Sequence, residues 1–407
     1  MTPAAIPRPK WEVADVIRRH GEAFLRTHGG HLTGTQKQAL RDLARCRTAA
    51  LGGHVEECLD CGSTRIAYNS CRNRHCPKCQ ALTRARWLER QAEHLLPVEY
   101  YHVVFTLPRE VAELALANPA ALYDLLLRTA AATLRDAAAN PKHLGAQVGM
   151  LLVLHTWGQN LHHHPHVHAI VTGGGLLCDR HGIADATPKW IACRPGFFLP
   201  VKVLGRLFRG KYLAGLQHLF ERRMLVFPQS LKALENPQEF QRWLSARYRK
   251  AWVVYAKRPF GGPGQVLKYL ARYTHRVAIA NSRLLDVSDG TVTFGYKDYA
   301  AKSESKVMRL SADEFLRRFT QHVLPKGFYK IRYCGLLANR QRGERLQLCR
   351  ELLGDRGKPD AITTISPTIL PAVEACCPNC GGSRFTRREL LPDRMIGAAI
   401  RCGIDSG

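Results

Sequence analysis

The sequence predicts an α+β protein preceded by a helical, cysteine-rich segment, and three observations carry that prediction. Short β-branched and aromatic runs recur between residues 100 and 296. Amphipathic stretches of helical period separate them, which is the pattern of mixed layers around one core. Cysteines at close, regular spacing crowd residues 46–79.

In chain order, residues 1–97 read as one unit. Thr35 and Gln38 are spaced as a capping box, and Ala39, Leu40, Leu43 and Ala44 give an apolar stripe leading to Cys46. A basic helix is expected from Ala81 to Leu96, stopped by Pro97. From Glu99 the texture changes. Tyr100 to Leu107 reads as a buried strand and residues 109–139 as amphipathic helices. Val148 to Thr156 and His166 to Thr172 read as two further strands, the second ended by Gly173, Gly174 and Gly175. Trp252 to Ala256 is a fourth strand candidate, and Gly264 to Thr274 reads as a helix. Strands Val277–Val287 and Thr291–Tyr296 flank an Asp289-Gly290 hairpin turn, and Ser311 with Glu314 caps a helix to about His322. Residues 98–350 thus form a second domain, and 351–407 a tail punctuated by Pro and Gly.

Composition bounds the function. At roughly 150 residues per domain, 407 residues make two or three units. Sixty Lys and Arg against 33 Asp and Glu leave a net charge of +27. Such a balance calls for a polyanionic partner, nucleic acid before an anionic membrane surface. From Gln241 to Leu285 there are ten Lys/Arg and no Asp or Glu, a block that reads as a phosphate-facing surface or as a basic face without a specific partner. The first twenty residues lack a signal peptide's apolar core, and no run reaches the ~20 apolar residues of a membrane span. A cytoplasmic, nucleoid-associated protein is expected, and in that reducing setting 14 cysteines point to metal.

Cys58-x-x-Cys61 and Cys76-x-x-Cys79 are two knuckles that can complete one tetrahedral Zn²⁺ shell. Cys46, His54, Cys71 and His75 offer a second Cys₂His₂ set, or are buried thiols and surface histidines. Between the knuckles, Arg72 and Arg74 alternate with asparagines in a pattern suited to DNA phosphates and bases. The segment therefore reads as a DNA-gripping module with structural zinc.

Six of the 18 histidines fall between His155 and His168. In a strand, His166 and His168 share one face about 7 Å apart, with Val167, Ala169 and Val171 on the other or next in line. Two imidazoles so placed can grip one divalent ion. A histidine-rich surface loop accounts for His162 to His164, but not for a pair embedded in an apolar strand. Further on, Tyr269 and Tyr273 stand four apart on the expected helix, hence on one face. Such a pair is commonly ordinary packing. Here it lies in the acid-free block with Lys268, Arg272 and Arg276, which would favour a phenolate and steady a phosphate.

Taken in order, YNSCRNRHCPKC (68–79), HPHVHAIVTGGGL (164–176) and YLARYTHRVAIANSRL (269–284), with FTLP (105–108) and GLLANR (335–340), resemble the rolling-circle transposases of the insertion sequence 91 family. The resemblance implies an N-terminal zinc-binding domain and a nuclease domain of the His-hydrophobe-His (HUH) class, with a central antiparallel sheet flanked by helices. It makes His166 and His168 the ligands of a catalytic Mg²⁺ or Mn²⁺ and Tyr269 and Tyr273 the nucleophiles. Gln159, His164 and His275 are the candidates for a third ligand. The implied partner is single-stranded DNA at element ends and target, with no membrane and with self-association left open. Cys334 stands where relatives would carry His or Tyr. In the tail, Cys376, Cys377, Cys380 and Cys402 could form a zinc ribbon of their own or nothing. A replication initiator of the same chemistry, or a zinc-dependent DNA-binding protein without catalysis, are the alternative readings.

Overall fold

The computed structural model describes residues 9–179, 182–183, 188–260, 265–266, 277–298, 304–354 and 376–392. Along the chain the strands are β1 (Gly53–Cys58), β2 (Thr64–Tyr68), β3 (Tyr100–Thr106), β4 (Ala146–Trp157), β5 (His163–Asp179), β6 (Gly182–Ile183), β7 (Trp190–Ala192), β8 (Val254–Phe260), β9 (Leu284–Ser288), β10 (Thr291–Asp298), β11 (Glu304–Ser311), β12 (Ile331–Gly335) and β13 (Phe385–Leu390). Contacts divide the chain into two units, one within residues 1–86, 275–323 and 364–407, the other within 87–274 and 324–363. These units cut across the expected division into 1–97, 98–350 and 351–407, because long-range bonds tie distant segments together.

Those bonds are explicit in the first unit. The helix Val13–His28 receives the 281–320 segment: the Val13 N–H donates to Asn281 Oδ1 at 3.1 Å, and Arg19 Nη1 to the Val287 carbonyl at 2.9 Å. His28 Nε2 lies 2.9 Å from the Asp313 carboxylate, on the helix Ala312–Thr320. β9, β10 and β11 form one antiparallel sheet, turned at Asp289 and Gly290, both at positive φ as a tight two-residue hairpin requires. Here the expected strand Val277–Val287 is shortened, since Asn281–Arg283 is a 3₁₀ turn. The second helix, Gly34–Arg45, is capped by Thr33 with Gln36 rather than by Thr35 with Gln38. A second sheet of this unit runs β13-β1-β2, fully antiparallel.

In the second unit the main sheet runs β12-β4-β5-β3-β8, antiparallel throughout, with β7 added on β5. Alternation gives it two faces of different chemistry. Tyr101, Val103 and Phe105, Leu152 and Leu154, and Val167, Ala169 and Val171 point to one side, all buried. The helices Arg109–Ala117, Pro119–Ala139 and Val201–Glu221 cover that side with Val111, Leu114, Leu122, Leu126, Phe208 and Tyr212. Each such large side chain contributes about 1.5–3 kcal/mol by leaving water. The opposite face carries His102, His155, His166 and His168 at one end. At the other, Trp87, Tyr100, Leu151, Val153 and Ile170 pack together.

The three glycines expected to end the histidine strand lie inside β5 instead. They permit close approach of backbone: a Cβ would stand 2.8 Å from the Glu99 carbonyl oxygen at Gly173, 2.6 Å from that of Ile191 at Gly174 and 2.0 Å from that of Gln147 at Gly175. The expected helix ahead of Pro97 begins earlier, at Pro77, and ends at Ala92. Of the expected helix Gly264–Thr274, only 265–266 are described. Tyr269, Tyr273, Lys268, Arg272, His275 and Arg276 lie outside the described residues.

Candidate metal centre

β3, β4 and β5 each bring histidine to the same face. Register fixes how. His155 on β4 sits directly opposite His166 on β5, and Val153 opposite His168, so His155 meets both imidazoles. Ring centroids are 5.5 Å apart for His155–His166, 4.6 Å for His155–His168 and 4.8 Å for His166–His168. One ligand nitrogen from each of the three falls within 4.8 Å of the others, a group that could hold a metal ion. His155 and His168 are buried.

The rings are held in orientation. His166 Nδ1 lies 2.7 Å from the His164 carbonyl oxygen, which accepts its proton and leaves Nε2 as the ligand atom. His168 Nδ1 lies 2.8 Å from Nε2 of His102, itself buried on β3. Trp157 stacks on His155 with centroids 4.7 Å apart. An ion held by these three imidazoles alone would keep coordination positions open, whereas a structural zinc is closed by four protein ligands.

Of the candidates for a third ligand, His164 serves through its backbone, Gln159 lies in the β4–β5 turn, and His275 is outside the described residues. The histidine the trio uses, His155, was legible in the sequence as a member of the cluster, and its alternation with Leu151 and Val153 marks its face. His102 was not singled out. Its signal was a lone histidine inside the apolar run YYHVVFT.

In the first unit the cysteines form two groups of four, Cys46, Cys71, Cys76 and Cys79, and Cys58, Cys61, Cys377 and Cys380. The expected tetrad Cys58–Cys61–Cys76–Cys79 is therefore divided. β2 carries the chain roughly 13 Å away from the 58–61 turn before Cys71 is reached, too far for one shell. The expected Cys46–His54–Cys71–His75 set is corrected as well. Cys46 and Cys71 join Cys76 and Cys79, with sulfur–sulfur distances of 3.6–3.7 Å from Cys46 to Cys76 and Cys79 and of 3.6 Å from Cys71 to Cys79. His54 Nε2 lies 3.4 Å from Glu56, and His75 belongs to neither group. Donation from the thiols of Cys46, Cys71 and Cys76 holds Cys79 well below its ordinary value, and Cys71 draws Cys46 to about 7.

Between β2 and the helix Pro77–Ala92, Arg72 is exposed at positive φ and Arg74 half-buried, its guanidinium pushed below the ordinary arginine range by desolvation. The asparagines of this loop are structural: Asn73 donates to Asp42 at 2.9 Å, and Asn69 to the Leu51 carbonyl at 3.1 Å.

Metal-ligand clusters of two kinds in a chain of net charge +27 define a protein that meets nucleic acid. The chain belongs to the insertion sequence 91 family of transposases. Residues 149–345 match a family described as "Putative transposase", and residues 16–107 match a "Transposase zinc-binding domain". The chain is 54% identical over 343 residues, 84% of each chain, to "Putative transposase y4qJ" of Sinorhizobium fredii (strain NBRC 101917 / NGR234). It is 31% identical over 357 residues, 87% of this chain and 82% of the other, to the transposase for insertion sequence element IS801 of Pseudomonas savastanoi pv. phaseolicola. No solved structure matches it. The cysteine tetrad Cys46–Cys71–Cys76–Cys79 lies wholly within the matched zinc-binding domain. Among the described residues no helix is long and apolar enough to cross a membrane.

Proposed function

We propose that this transposase nicks and rejoins single-stranded DNA at element ends and targets during rolling-circle transposition, through a 5′-phosphotyrosine. The observation that supports this reading best is the convergence of His155, His166 and His168 from two adjacent strands. Three neutral imidazoles without a carboxylate favour Mn²⁺ over Mg²⁺ as donors. A divalent ion held there would polarise the scissile phosphate and neutralise charge in the transition state.

The chain's own groups do the rest. The His164 carbonyl and His102 keep the ligand nitrogens of His166 and His168 outward, and Trp157 fixes the plane of His155. Tyr269 or Tyr273 is the proposed nucleophile. Its phenol loses a proton, the tyrosyl oxygen–phosphorus bond forms, and the bond to the 3′ oxygen breaks. That oxygen takes up a proton and leaves as a 3′-OH. Rejoining is the reverse attack by a 3′-OH, so bond energy is kept without a nucleoside triphosphate. A second tyrosine permits a second cleavage while the first remains esterified. Lys268, Arg272 and Arg276 neighbour the tyrosines in sequence and stabilise phenolate and phosphate, and Arg72 and Arg74 are proposed to hold DNA at the zinc-binding domain.

The test is covalent trapping of labelled single-stranded end DNA with Mn²⁺. Adduct is expected from the wild type and from Tyr269→Phe or Tyr273→Phe, and none from the double variant. Absence of adduct with every divalent metal tried, or full strand transfer by the double variant, overturns the reading.

A further inference from the structure

We propose that Cys58, Cys61, Cys377 and Cys380 form a second zinc site, which fastens the C-terminal strand β13 to the zinc-binding domain. Neither matched family segment contains Cys377 or Cys380, so half of this site comes from outside both.

The two knuckles are copies of one another. Each reads Cys-x-x-Cys-Gly. In the first, the Cys58 N–H donates to the Ser63 carbonyl at 2.9 Å and the Gly62 N–H to the Cys58 carbonyl at 2.8 Å. In the second, the Cys377 N–H donates to the Gly382 carbonyl at 2.7 Å and the Gly381 N–H to the Cys377 carbonyl at 2.8 Å. The glycines stand at φ +68° and +74°, a conformation that residues with a side chain rarely adopt. The Cys76–Cys79 pair is built differently, the Cys76 N–H donating to Asn73 and its carbonyl accepting from Gln80 at a helix start.

The copies face each other. Cys58 and Cys380 sulfurs are 3.6 Å apart, as are those of Cys61 and Cys377. A tetrahedron of Zn–S bonds of about 2.3 Å has edges of about 3.8 Å, so the spacing fits zinc and exceeds a disulfide's. Contacts around the knuckles hold them in place. Arg384 Nε donates to Asp60 of the first knuckle at 2.9 Å, and the Leu59 N–H to the Arg384 carbonyl at 2.9 Å. β13 then pairs with β1 from Phe385 to Leu390, and buried Glu56 takes Arg387 from β13 and Arg65 from β2, each at 2.5 Å.

The surroundings of the two tetrads differ. Cys46, Cys76 and Cys79 are buried, whereas Cys61 and Cys380 are exposed. Solvent access makes the ribbon site the first to yield its metal, and with it the hold on β13.

The experiment uses the full-length chain. Zinc content is expected to be two per chain in the wild type and one in Cys377→Ser/Cys380→Ser and in Cys58→Ser/Cys61→Ser. A specific protease site placed between 354 and 376 supplies a second arm that keeps every cysteine. After cleavage the C-terminal piece should stay with the rest through size exclusion and separate when a chelator removes the first equivalent of zinc. Two zinc ions retained by Cys377→Ser/Cys380→Ser would overturn the proposal. So would a piece that separates while zinc is present, or one that stays after both ions have gone.

Discussion

Nε2 of His102 sits 2.8 Å from Nδ1 of His168, across the β3–β5 ladder and one pair diagonal to the direct opposite, Ile170. The rings are near parallel at 12°, and both are buried. With an ion on Nε2 of His168, its Nδ1 carries the proton and Nε2 of His102 is the buried acceptor. Replacing His102 by Ala should weaken Mn²⁺ binding by about 10–100-fold, the usual effect of losing a ligand's hydrogen-bond partner. His102→Gln keeps an acceptor and should recover part of that loss. Isothermal titration or the EPR signal of free Mn²⁺ reads it without DNA, and equal affinity in wild type and His102→Ala would refute the role.

His155 and His164 provide a matched contrast. His155→Ala removes one of the three proposed ligands and should abolish DNA adduct formation while circular dichroism stays native. His164→Ala keeps the carbonyl that holds His166 and should change Mn²⁺ affinity by no more than about twofold, the range of ordinary exposed substitutions. Adduct formation lost with His164→Ala and kept with His155→Ala would reverse the assignment.

Gly175 tests the sheet itself. A methyl there meets the Gln147 carbonyl oxygen at 2.0 Å, a backbone atom that moves only with β4. Gly175→Ala should destabilise by at least about 1–3 kcal/mol and weaken metal binding too, because β4 carries His155. Thermal unfolding beside Mn²⁺ titration checks both. An unchanged melting temperature would contradict the close packing.

Glu314 sets a pH window. Arg317, then Arg318, hold its carboxyl at about 2 against an ordinary 4.5. A depressed acid adds stability above its unfolded value and loses it as pH falls through the folded one. The gap in melting temperature between wild type and Glu314→Gln should thus be constant above pH 5 and close between about 4.5 and 2. A gap that widens on acidification would show the sign to be wrong.

DNA binding should respond to salt. If about six phosphates are neutralised, affinity falls roughly 10³-fold between 50 and 200 mM. Arg72→Ala should flatten the slope by about one ion. Fluorescence anisotropy against a salt series measures both, and a flat dependence would remove the phosphate-facing surface.

What the sequence disclosed was local. Short β-branched and aromatic runs marked β3, β4 and β10 nearly to their ends, and alternation along the strand put His166 and His168 on one face. Cysteine spacing showed that metal was involved. Choice of partner was not local. Cys58 and Cys61 join a knuckle more than three hundred positions away because β13 pairs with β1, and no spacing rule between Cys61 and Cys76 encodes that. Likewise His155 and His102 matter through strand register, which one strand read alone does not reveal. The glycines of β5 misled for a related reason: Gly is a turn signal in isolation and a contact residue beside another backbone.

All three imidazoles of the trio ride on a single hairpin, β4 turning into β5 through residues 158–162. Closing so short a loop costs little chain entropy, so bringing the three imidazoles together asks little of the chain beyond forming the hairpin. The phenols it is proposed to serve arrive about a hundred positions later in translation. The proposed grip and the proposed nucleophiles are thus acquired separately along the chain, the first from one hairpin and the second from a distant segment.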